Sequence, residues 1–216
     1  ALFGTPLTAT IFSMEVASVG MFYYIAFIPC LVSSLVALRL ATVLHVAHEQ
    51  FPLTFVPNFT AGMALRVLLL AALCAGVSIL FCVVMHQTEH FYKKFLKNPY
   101  LRAAAGGVFV LLLTLMAGSQ EYNGAGSEVI SRAFGGEAVP YAFLVKLAFT
   151  ALTLGAGFKG GEIVPSFFIG STFGCTAGVL LGIDPGFAAA VGLVSVFCGV
   201  VNCPVASLFL SIELFG

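Results

Sequence analysis

The chain has 216 residues, of which 60% are hydrophobic and 8% charged, and its nine basic and nine acidic side chains give a formal net charge of zero. A mean hydropathy of +1.09 excludes an ordinary soluble globular domain and predicts an all-α, polytopic membrane protein. The balanced charge also excludes the basic surface with which proteins bind nucleic acid. Because Ala1 begins an apolar pattern without an initiator methionine or a signal peptide, we expect a fragment of a longer protein.

The first third of the chain predicts a short helix, a membrane span and a loop. The short helix opens with Thr5-Pro6-Leu7 and reaches Glu15, and an uncharged run from Val16 to Leu38 follows. We expect Gly20 to break this run and Pro29 to weaken it. Polar residues then indicate an exit into water, and prolines favour a loop as far as Phe59: Arg39, His45, His48 and Glu49, followed by Pro52 and Pro57.

The clearest spanning segment by hydropathy is Val67–Met85, and Arg66 at its start can extend its long side chain to the membrane interface. The polar stretch from His86 to Arg102 contains four basic residues against the single Glu89. Under the positive-inside rule, we expect this stretch to be a cytoplasmic loop that orients the protein and has no other role. A further uncharged run follows, from Ala103 to Gln120.

A glycine-rich turn at Glu121–Glu128 separates that run from the next helices. Its residues Gly124, Gly126 and Ser127 form a second candidate helix entrance, because glycine adopts the backbone angles that such turns require. The following segment, Val129–Phe134, is too short to span a bilayer. We therefore expect a re-entrant half-helix, whose backbone ends must be covered by protein or water.

Lys146 lies in the middle of the next predicted helix, Ala138–Leu154. An ionisable side chain at that place is a candidate functional residue. A tilted interfacial helix, whose lysine extends toward the bilayer surface, explains it equally well. Near the end of the chain, three further elements are predicted: a turn at Asp184-Pro185-Gly186, a helix at Phe187–Val201 and a short helix at Cys203–Phe215.

The segment Gly155–Pro165 is the strongest signal in the chain for the entrance of a helix. Four of its first seven residues are glycines, namely Gly155, Gly157, Gly160 and Gly161, and the closing proline suits the first turn of a helix. No charged residue occurs from Ile163 to Ile183, about the length that spans a bilayer. Every fourth residue of the predicted helix is then a glycine, which places four of them on one stripe for close helix packing: Gly170, Gly174, Gly178 and Gly182.

The start of this helix can hold an anion. Its first N–H groups have no partner within the helix, and the helix dipole places about half a positive charge there. Such partial charges bind an anion without trapping it, as conduction requires. The candidate anion-binding backbone groups are those of Gly161, Glu162, Ile163 and Val164.

Glu162 has two competing interpretations. In the first turn of the helix, its carboxylate can cap the same helix end. At membrane depth, however, an ionised carboxylate is costly, so the group needs a bound proton or a polar path to water. Either condition makes Glu162 a candidate proton carrier, and the residues alone favour neither interpretation.

The two ends of the chain resemble each other. In Thr5–Val16 and in Cys203–Leu214, a proline is followed by a serine seven residues later and by a glutamate nine residues later. Matched short segments are typical of internally duplicated transporters. We therefore expect a single transmembrane domain, 1–216, that runs from the end of a first repeat (1–60) through most of a second (61–216). Glu15 and Glu213 are then equivalent helix-end carboxylates, and each taken alone is best explained as solvated.

The cysteines and histidines do not predict a metal site, a disulfide or an enzyme. All six cysteines lie in apolar runs without paired spacing, so we expect small buried side chains. His45 and His48, like His86 and His90, are spaced for single helix faces but lack a carboxylate-rich partner set. We expect no metal and no cofactor, and no arrangement of serine and histidine supports an intramembrane enzyme.

The motif at the helix entrance, with the glycine-striped helix behind it, resembles the second-half GxFxP signature of the CLC chloride channels and transporters: Gly157-Phe158-Lys159-Gly160-Gly161-Glu162-Ile163-Val164-Pro165. The matched segments Pro6–Glu15 and Pro204–Glu213 resemble the two short helices that follow the ion-binding helices in that family's inverted halves. The resemblance covers most of the chain, although a CLC protein is much longer.

This resemblance implies an inverted-repeat helical bundle with broken and re-entrant helices, as a multi-pass protein of the bacterial plasma membrane. It also implies a homodimer in the lipid bilayer, with one anion pathway per subunit. The transported anion would be chloride or fluoride, held by helix N-termini, and it would move either by passive conduction or in exchange for protons.

Three positions depart from the commonest CLC pattern. Ile163 stands where chloride-selective members typically have phenylalanine. The run Gly160-Gly161-Glu162 resembles the fluoride-exporting bacterial branch, which generally has a threonine near where Val164 stands. Glu15 matches one glutamate of the proton-coupled exchangers and is a candidate proton-linked residue, but Val16 replaces the second, so the usual internal proton route is not implied.

Two other functions fit the sequence. An unrelated inverted-repeat carrier for an organic anion would have a larger cavity and no halide flux. A membrane scaffold without transport activity would need only the glycine stripe. The scaffold leaves the glycine-rich helix entrances and Glu162 unexplained.

Overall fold

The computed structural model describes residues 3–17, 23–46, 51–53 and 55–216. Within these ranges the chain folds into nine α-helices and one short 3-10 helix, with no strand, which confirms the predicted all-α class. In chain order, the elements are α1 (Pro6–Glu15), a 3-10 helix (Tyr24–Ala26), α2 (Phe27–Val43), α3 (Ala61–Phe95), α4 (Pro99–Ala117), α5 (Ser127–Phe134), α6 (Ala142–Gly155), α7 (Ile163–Leu181), α8 (Pro185–Val201) and α9 (Pro204–Phe215).

The ends of these helices follow from local sequence. Four helices have proline at their first position, where a missing N–H costs no hydrogen bond: Pro6, Pro99, Pro185 and Pro204. Asp184 also caps α8, because its Oδ1 accepts a hydrogen bond of 2.9 Å from the N–H of Phe187. Helix α7 ends at Gly182, which has a φ of 65° that glycine adopts without strain.

Among the described residues, four helical segments are long and apolar enough to cross a membrane: Tyr24–Val43, α3, α4 and α7. Helix α3 has 35 residues and is therefore about 52 Å long, well beyond the roughly 30 Å of hydrocarbon in a bilayer. One end of α3 must extend outside the hydrocarbon layer, and the basic residues place that end at its C-terminus.

The predicted cytoplasmic loop from His86 to Arg102 is wrong in its secondary structure. Helix α3 continues to Phe95, and α4 begins at Pro99 after a connection of only three residues. Hydropathy indicates where a segment leaves lipid, whereas a helix ends only where its backbone is broken. Histidine, lysine and glutamate do not break a helix, and the Glu89–Lys93 pair, four residues apart, supports it.

Smaller corrections concern α2. The predicted exit at Arg39 lies inside this helix, which continues to Val43. Pro29 lies in the first turn of α2, where a backbone N–H would have no partner within the helix. Its missing N–H therefore costs no hydrogen bond, and Pro29 does not weaken the helix. Gly20, His48 and Glu49 lie outside the described residues.

Helices α7 and α8 form the centre of the fold through backbone contact. A methyl group added at Gly170 or Gly174 would collide with the backbone of α8 at Gly192 and Ala188, and one at Gly178 would collide with the Ala188 side chain. These three glycines form the predicted stripe. Gly182 does not belong to it, because this residue ends the helix and its carbonyl oxygen accepts a 2.8 Å hydrogen bond from Arg66 Nη1.

Arg66 and Gly182 also define the direction of α7. They join the start of α3 to the end of α7. Gly155, at the end of α6 and before the entrance of α7, lies against Thr88 near the other end of α3. Helix α7 therefore runs antiparallel to α3. The entrance of α7 lies beside the part of α3 where the sequence becomes polar.

The first and last helices cap each other. Glu15, at the end of α1, accepts hydrogen bonds from the N–H groups of Val205 (3.1 Å) and Ala206 (2.7 Å) at the start of α9. Glu213, near the end of α9, accepts bonds from the N–H groups of Leu7 (2.9 Å) and Thr8 (2.7 Å) and from the Thr8 hydroxyl (2.7 Å) at the start of α1. Each carboxylate satisfies N–H groups that the partner helix leaves unpaired.

This reciprocal arrangement overturns the expectation that Glu15 and Glu213 are solvated helix ends. Glu15 is only 7% exposed and is bonded to a helix nearly two hundred residues away in sequence. The matched positions of the two glutamates in the sequence correspond to matched positions in space. The expectation for the cysteines also needs correction, since Cys74, Cys175 and Cys203 are buried but Cys82 is exposed.

Candidate functional site

The entrance of α7 is built from a short non-helical segment between α6 and α7. Three glycines, in this segment or at the end of α6 before it, have a structural reason. Gly157 has a φ of 94°, Gly155 leaves room for Thr88 of α3, and a side chain at Gly160 would meet Leu154 of α6. The predicted entrance glycines therefore allow the chain to leave α6 and turn closely into α7.

Arg102 holds this segment in place from α4. Its Nε donates a 3.1 Å hydrogen bond to the carbonyl oxygen of Ala156, at the end of α6. A cation at a helix C-terminus is favourable because the helix dipole is negative there. The guanidinium also packs beside Gly157, where a side chain would be in its way. Arg102 is thus a positioning residue for the entrance.

The first turn of α7 has no side-chain cap. Glu162 is the N-cap residue, but its carboxylate accepts no hydrogen bond from the helix, so no hydrogen bond supports the interpretation of Glu162 as a cap. Glu162 and Gly161 are exposed, and Ile163 and Val164 are half-buried. The N–H groups of this turn and the positive end of the helix dipole are therefore available to a ligand.

Two cavities flank this uncapped turn. The first, of about 380 Å³, is lined by Gly160, Gly161 and Pro165 together with residues of α4, α6 and the 121–126 turn. The second, of about 440 Å³, is lined by Gly160 and Glu162 together with one face of α3. The positive end of α7 thus lies between two spaces that can hold water or an ion.

Lys146 lines the first cavity and forms hydrogen bonds to the second glycine-rich turn. Its Nζ donates hydrogen bonds to the carbonyl oxygens of Tyr122 (3.0 Å) and Gly124 (2.6 Å) and lies 5.0 Å from the centre of the Phe168 ring. Lys146 is 2% exposed, so it does not extend toward the bilayer surface as one interpretation proposed. The buried ammonium instead fixes the turn against α6 and α7.

The second turn is also held from outside. Arg132 of α5 forms an exposed ion pair with Glu121, with 2.7 Å between Nη2 and Oε2. The hydrogen bond that Arg132 donates to the Glu121 carboxylate raises the pKa of the guanidinium. With Lys146 on the inner side and Arg132 on the outer side, the turn has a fixed position beside the cavity.

The predicted site residues of this turn separate in space. Gly124 lines the first cavity with Gly160 and Gly161. Gly126 instead lies against the Phe168 ring of α7, where a side chain would collide with it, and Ser127 begins the short amphipathic helix α5. Of these three residues, only Gly124 therefore lines the cavity beside the start of α7. Gly126 packs against α7, and Ser127 begins α5.

Glu15 lies apart from this region. Its carboxylate caps α9 and lines neither of the two cavities. Of the residues predicted for the site, Glu162, Gly160, Gly161 and Gly124 line the cavities at the entrance of α7. The interpretation of Glu15 as a proton-linked residue gains no support from its position.

Several residues at the entrance were missed by sequence reasoning. Cys82, His86 and Glu89 line the second cavity with Glu162, and they follow one another at helical spacing on α3. Their spacing was visible in the sequence, but the expected loop after Met85 hid it. Within the described ranges, no group of three histidine, cysteine or acidic side chains is placed to hold a metal ion.

Comparison with known proteins identifies the family. The whole chain, residues 1–216, matches the family model described as voltage gated chloride channel. The chain is 32% identical to a protein of Pseudomonas syringae pv. tomato named chloride/fluoride channel protein, over 100% of this chain and 49% of that protein. It is 26% identical to the H(+)/Cl(-) exchange transporter ClcA of Vibrio cholerae, over 99% of this chain and 49% of the relative.

A solved structure agrees with the fold described above. The crystal structure of a CLC-type fluoride/proton antiporter superposes on the chain with a TM-score of 0.94 at 30% sequence identity, and the match covers 100% of this chain and 55% of that one. The chain spans about half the length of the curated relatives it matches. The apolar spans and these matches confirm the predicted multi-pass membrane protein with a CLC-like helical bundle. The chain belongs to the voltage gated chloride channel family, the CLC family of membrane channels and transporters.

Proposed function

We propose that the protein containing this chain transports a small inorganic anion, fluoride or chloride, across the bacterial cell membrane. The anion is held at the start of α7 by the backbone N–H groups of Gly161, Glu162, Ile163 and Val164. The observation that carries this proposal is the uncapped first turn of α7 between two cavities. A helix N-terminus without a cap attracts an anion through its free N–H groups and its dipole.

The relatives support anion transport and leave two modes to distinguish. One relative is named as a channel, and ClcA and the crystallised antiporter are named as exchangers that move protons. We favour proton exchange, with Glu162 as the proton carrier, because its carboxylate is exposed to the second cavity and makes no cap bond. A carboxylate next to an anion site is coupled to the anion, because the negative charge of a bound anion disfavours the ionised form of the carboxyl group.

We also propose that the functional unit is a homodimer in the lipid bilayer, that it needs no cofactor or metal, and that it has no enzymatic activity. The chain would contribute the end of a first repeat (1–60) and most of a second (61–216) to a single transmembrane domain. The reciprocal caps between α1 and α9 support this division, because equivalent residues of two repeats contact each other there.

The test is ion efflux from liposomes that contain the complete protein. Fluoride and chloride are loaded separately, and efflux is recorded with and without a proton gradient, together with the pH inside the liposomes. We expect efflux of one of these anions to move protons in the opposite direction. Anion efflux that leaves the internal pH unchanged would favour a channel, and no efflux of either ion would overturn the proposal.

A further inference from the structure

A row of titratable side chains on α3 connects Glu162 with the polar end of that helix. Cys82, His86 and Glu89 are spaced by four and three residues, so they lie on one face of α3. All three line the 440 Å³ cavity, and Lys159 and Glu162 line it from the segment between α6 and α7. The α3 side of the cavity thus carries three titratable side chains, together with the apolar Phe81 and Met85.

The row leads out of the apolar part of the helix. Cys82 lies within the uncharged segment that ends at Met85, and its sulfur is close enough to the Glu162 carboxylate for the two to interact electrostatically. Glu89 lies about 10 Å further along the helix axis, at 1.5 Å per residue. Cys82, His86, Glu89 and Glu162 all have exposed side chains.

His86 occupies the middle of this row, and its chemistry suits proton transfer. Imidazole is the side chain that ordinarily gains and loses a proton near neutral pH, and its two nitrogens let it accept a proton on one side and donate it on the other. The neighbouring groups are less suited. Glu89 is paired with Lys93, and the charged side chains of Lys159 and Arg102 offer hydrogen-bond donors but no acceptor.

We propose that His86 carries protons between Glu162 and the water at the C-terminal end of α3. The proposal rests on the proposed role of Glu162 in proton exchange. When the proton moves from Glu162 to His86, the O–H bond of the protonated carboxyl breaks and an N–H bond forms on the imidazole. The proton passes directly or by way of one water molecule. The other imidazole nitrogen then releases its proton to water, and charge and atoms balance without any redox partner.

Several charged groups face His86 and influence this transfer. Glu89 and Lys93 lie on α3 itself, Lys159 and Glu162 face it from the segment before α7, and Arg102 interacts electrostatically with Glu89 from α4. Both negative and positive groups therefore surround the imidazole. A balanced surrounding of this kind is compatible with a group that both takes up and releases protons.

The test compares His86→Ala with His90→Ala in the complete protein. His90 is an exposed histidine on the same helix, one turn further, and is not among the described residues that line the cavity. In the liposome assay, we expect proton movement by His86→Ala to fall roughly tenfold or more, as when a positioned proton-transfer group is lost. His90→Ala should match the wild type. Added imidazole should restore proton movement in His86→Ala, and a salt of a quaternary ammonium ion should not.

The outcomes separate this inference from the proposed function. Proton movement by the wild type, lost in Glu162→Gln but unchanged in His86→Ala, would overturn the role of His86 and leave the function standing. A loss in His86→Ala that imidazole does not restore would also overturn it, since such a loss indicates a structural effect. A wild type that moves the anion without protons would overturn both.

Discussion

Glu162→Gln is expected to abolish proton movement while anion movement continues. The amide has nearly the shape of the carboxyl group but cannot carry a proton, and the N–H groups at the start of α7 remain in place. Proton flux in liposomes should fall to background at every pH between about 5 and 8, because the amide takes up no proton in this range. Parallel recordings of internal pH and of anion efflux measure both effects.

The matched control for this variant is Glu137→Gln. Glu137 is an exposed glutamate in the connection between α5 and α6 and lines neither cavity. It should behave as the wild type in both recordings. If Glu162→Gln kept the wild-type ratio of protons to anions across the same pH range, Glu162 would not be the proton carrier.

Glu15→Ala is expected to destabilise the protein strongly without touching the anion site. The substitution removes the acceptor for two N–H groups at the start of α9, one of which belongs to the fully buried Ala206. Hydrogen bonds to a charged group contribute about 1.5–3 kcal/mol each, and buried donors left unpaired add to the loss. For the two bonds together, we therefore expect the free energy of unfolding to fall by about 3–6 kcal/mol.

Thermal unfolding of the purified protein in detergent measures this effect, with the exposed Glu137→Ala as the control. Glu213→Ala should act in the same direction, because it removes the cap of α1. Equal unfolding temperatures for Glu15→Ala and Glu137→Ala would show that the reciprocal caps do not stabilise the contact between the two ends of the chain.

Local sequence predicted the entrance of α7 well. Glycine and proline act on the backbone of their own segment, so Gly157 and Pro165 indicate a turn and a helix start whatever the rest of the fold does. The observed helix begins at Ile163, as expected, and three of the four striped glycines pack on α8. The matched prolines likewise predicted the starts of α1 and α9.

The partners of charged groups could not be predicted in this way. Glu15 and Ala206, or Lys146 and the carbonyl oxygen of Gly124, meet only because the helices between them pack in a particular order. No residue near Glu15 in the sequence records that its carboxylate will lie against the start of α9. Tertiary packing thus decided whether a charged side chain was solvated, capping or buried.

The length of α3 was mispredicted for a different reason. Polar residues after Met85 indicate that the chain leaves the lipid, but they do not indicate that the helix ends there. Nothing in His86–Phe95 breaks a helix, so α3 continues into the aqueous layer. This extension places His86 and Glu89 beside Glu162, which the sequence alone assigned to separate elements.

The anion site itself is tested most directly by removing one backbone N–H from the first turn of α7. An amide-to-ester substitution at Val164, introduced as the α-hydroxy acid of valine, deletes that donor and leaves the side chain unchanged. The same change at Gly62, in the exposed first turn of α3, is the control. Calorimetric titration of the complete protein with fluoride and with chloride should show affinity reduced roughly tenfold to a hundredfold for the Val164 ester only, as expected for one lost hydrogen bond to an ion. Unchanged affinity in the Val164 ester would contradict the proposal that the start of α7 holds the anion.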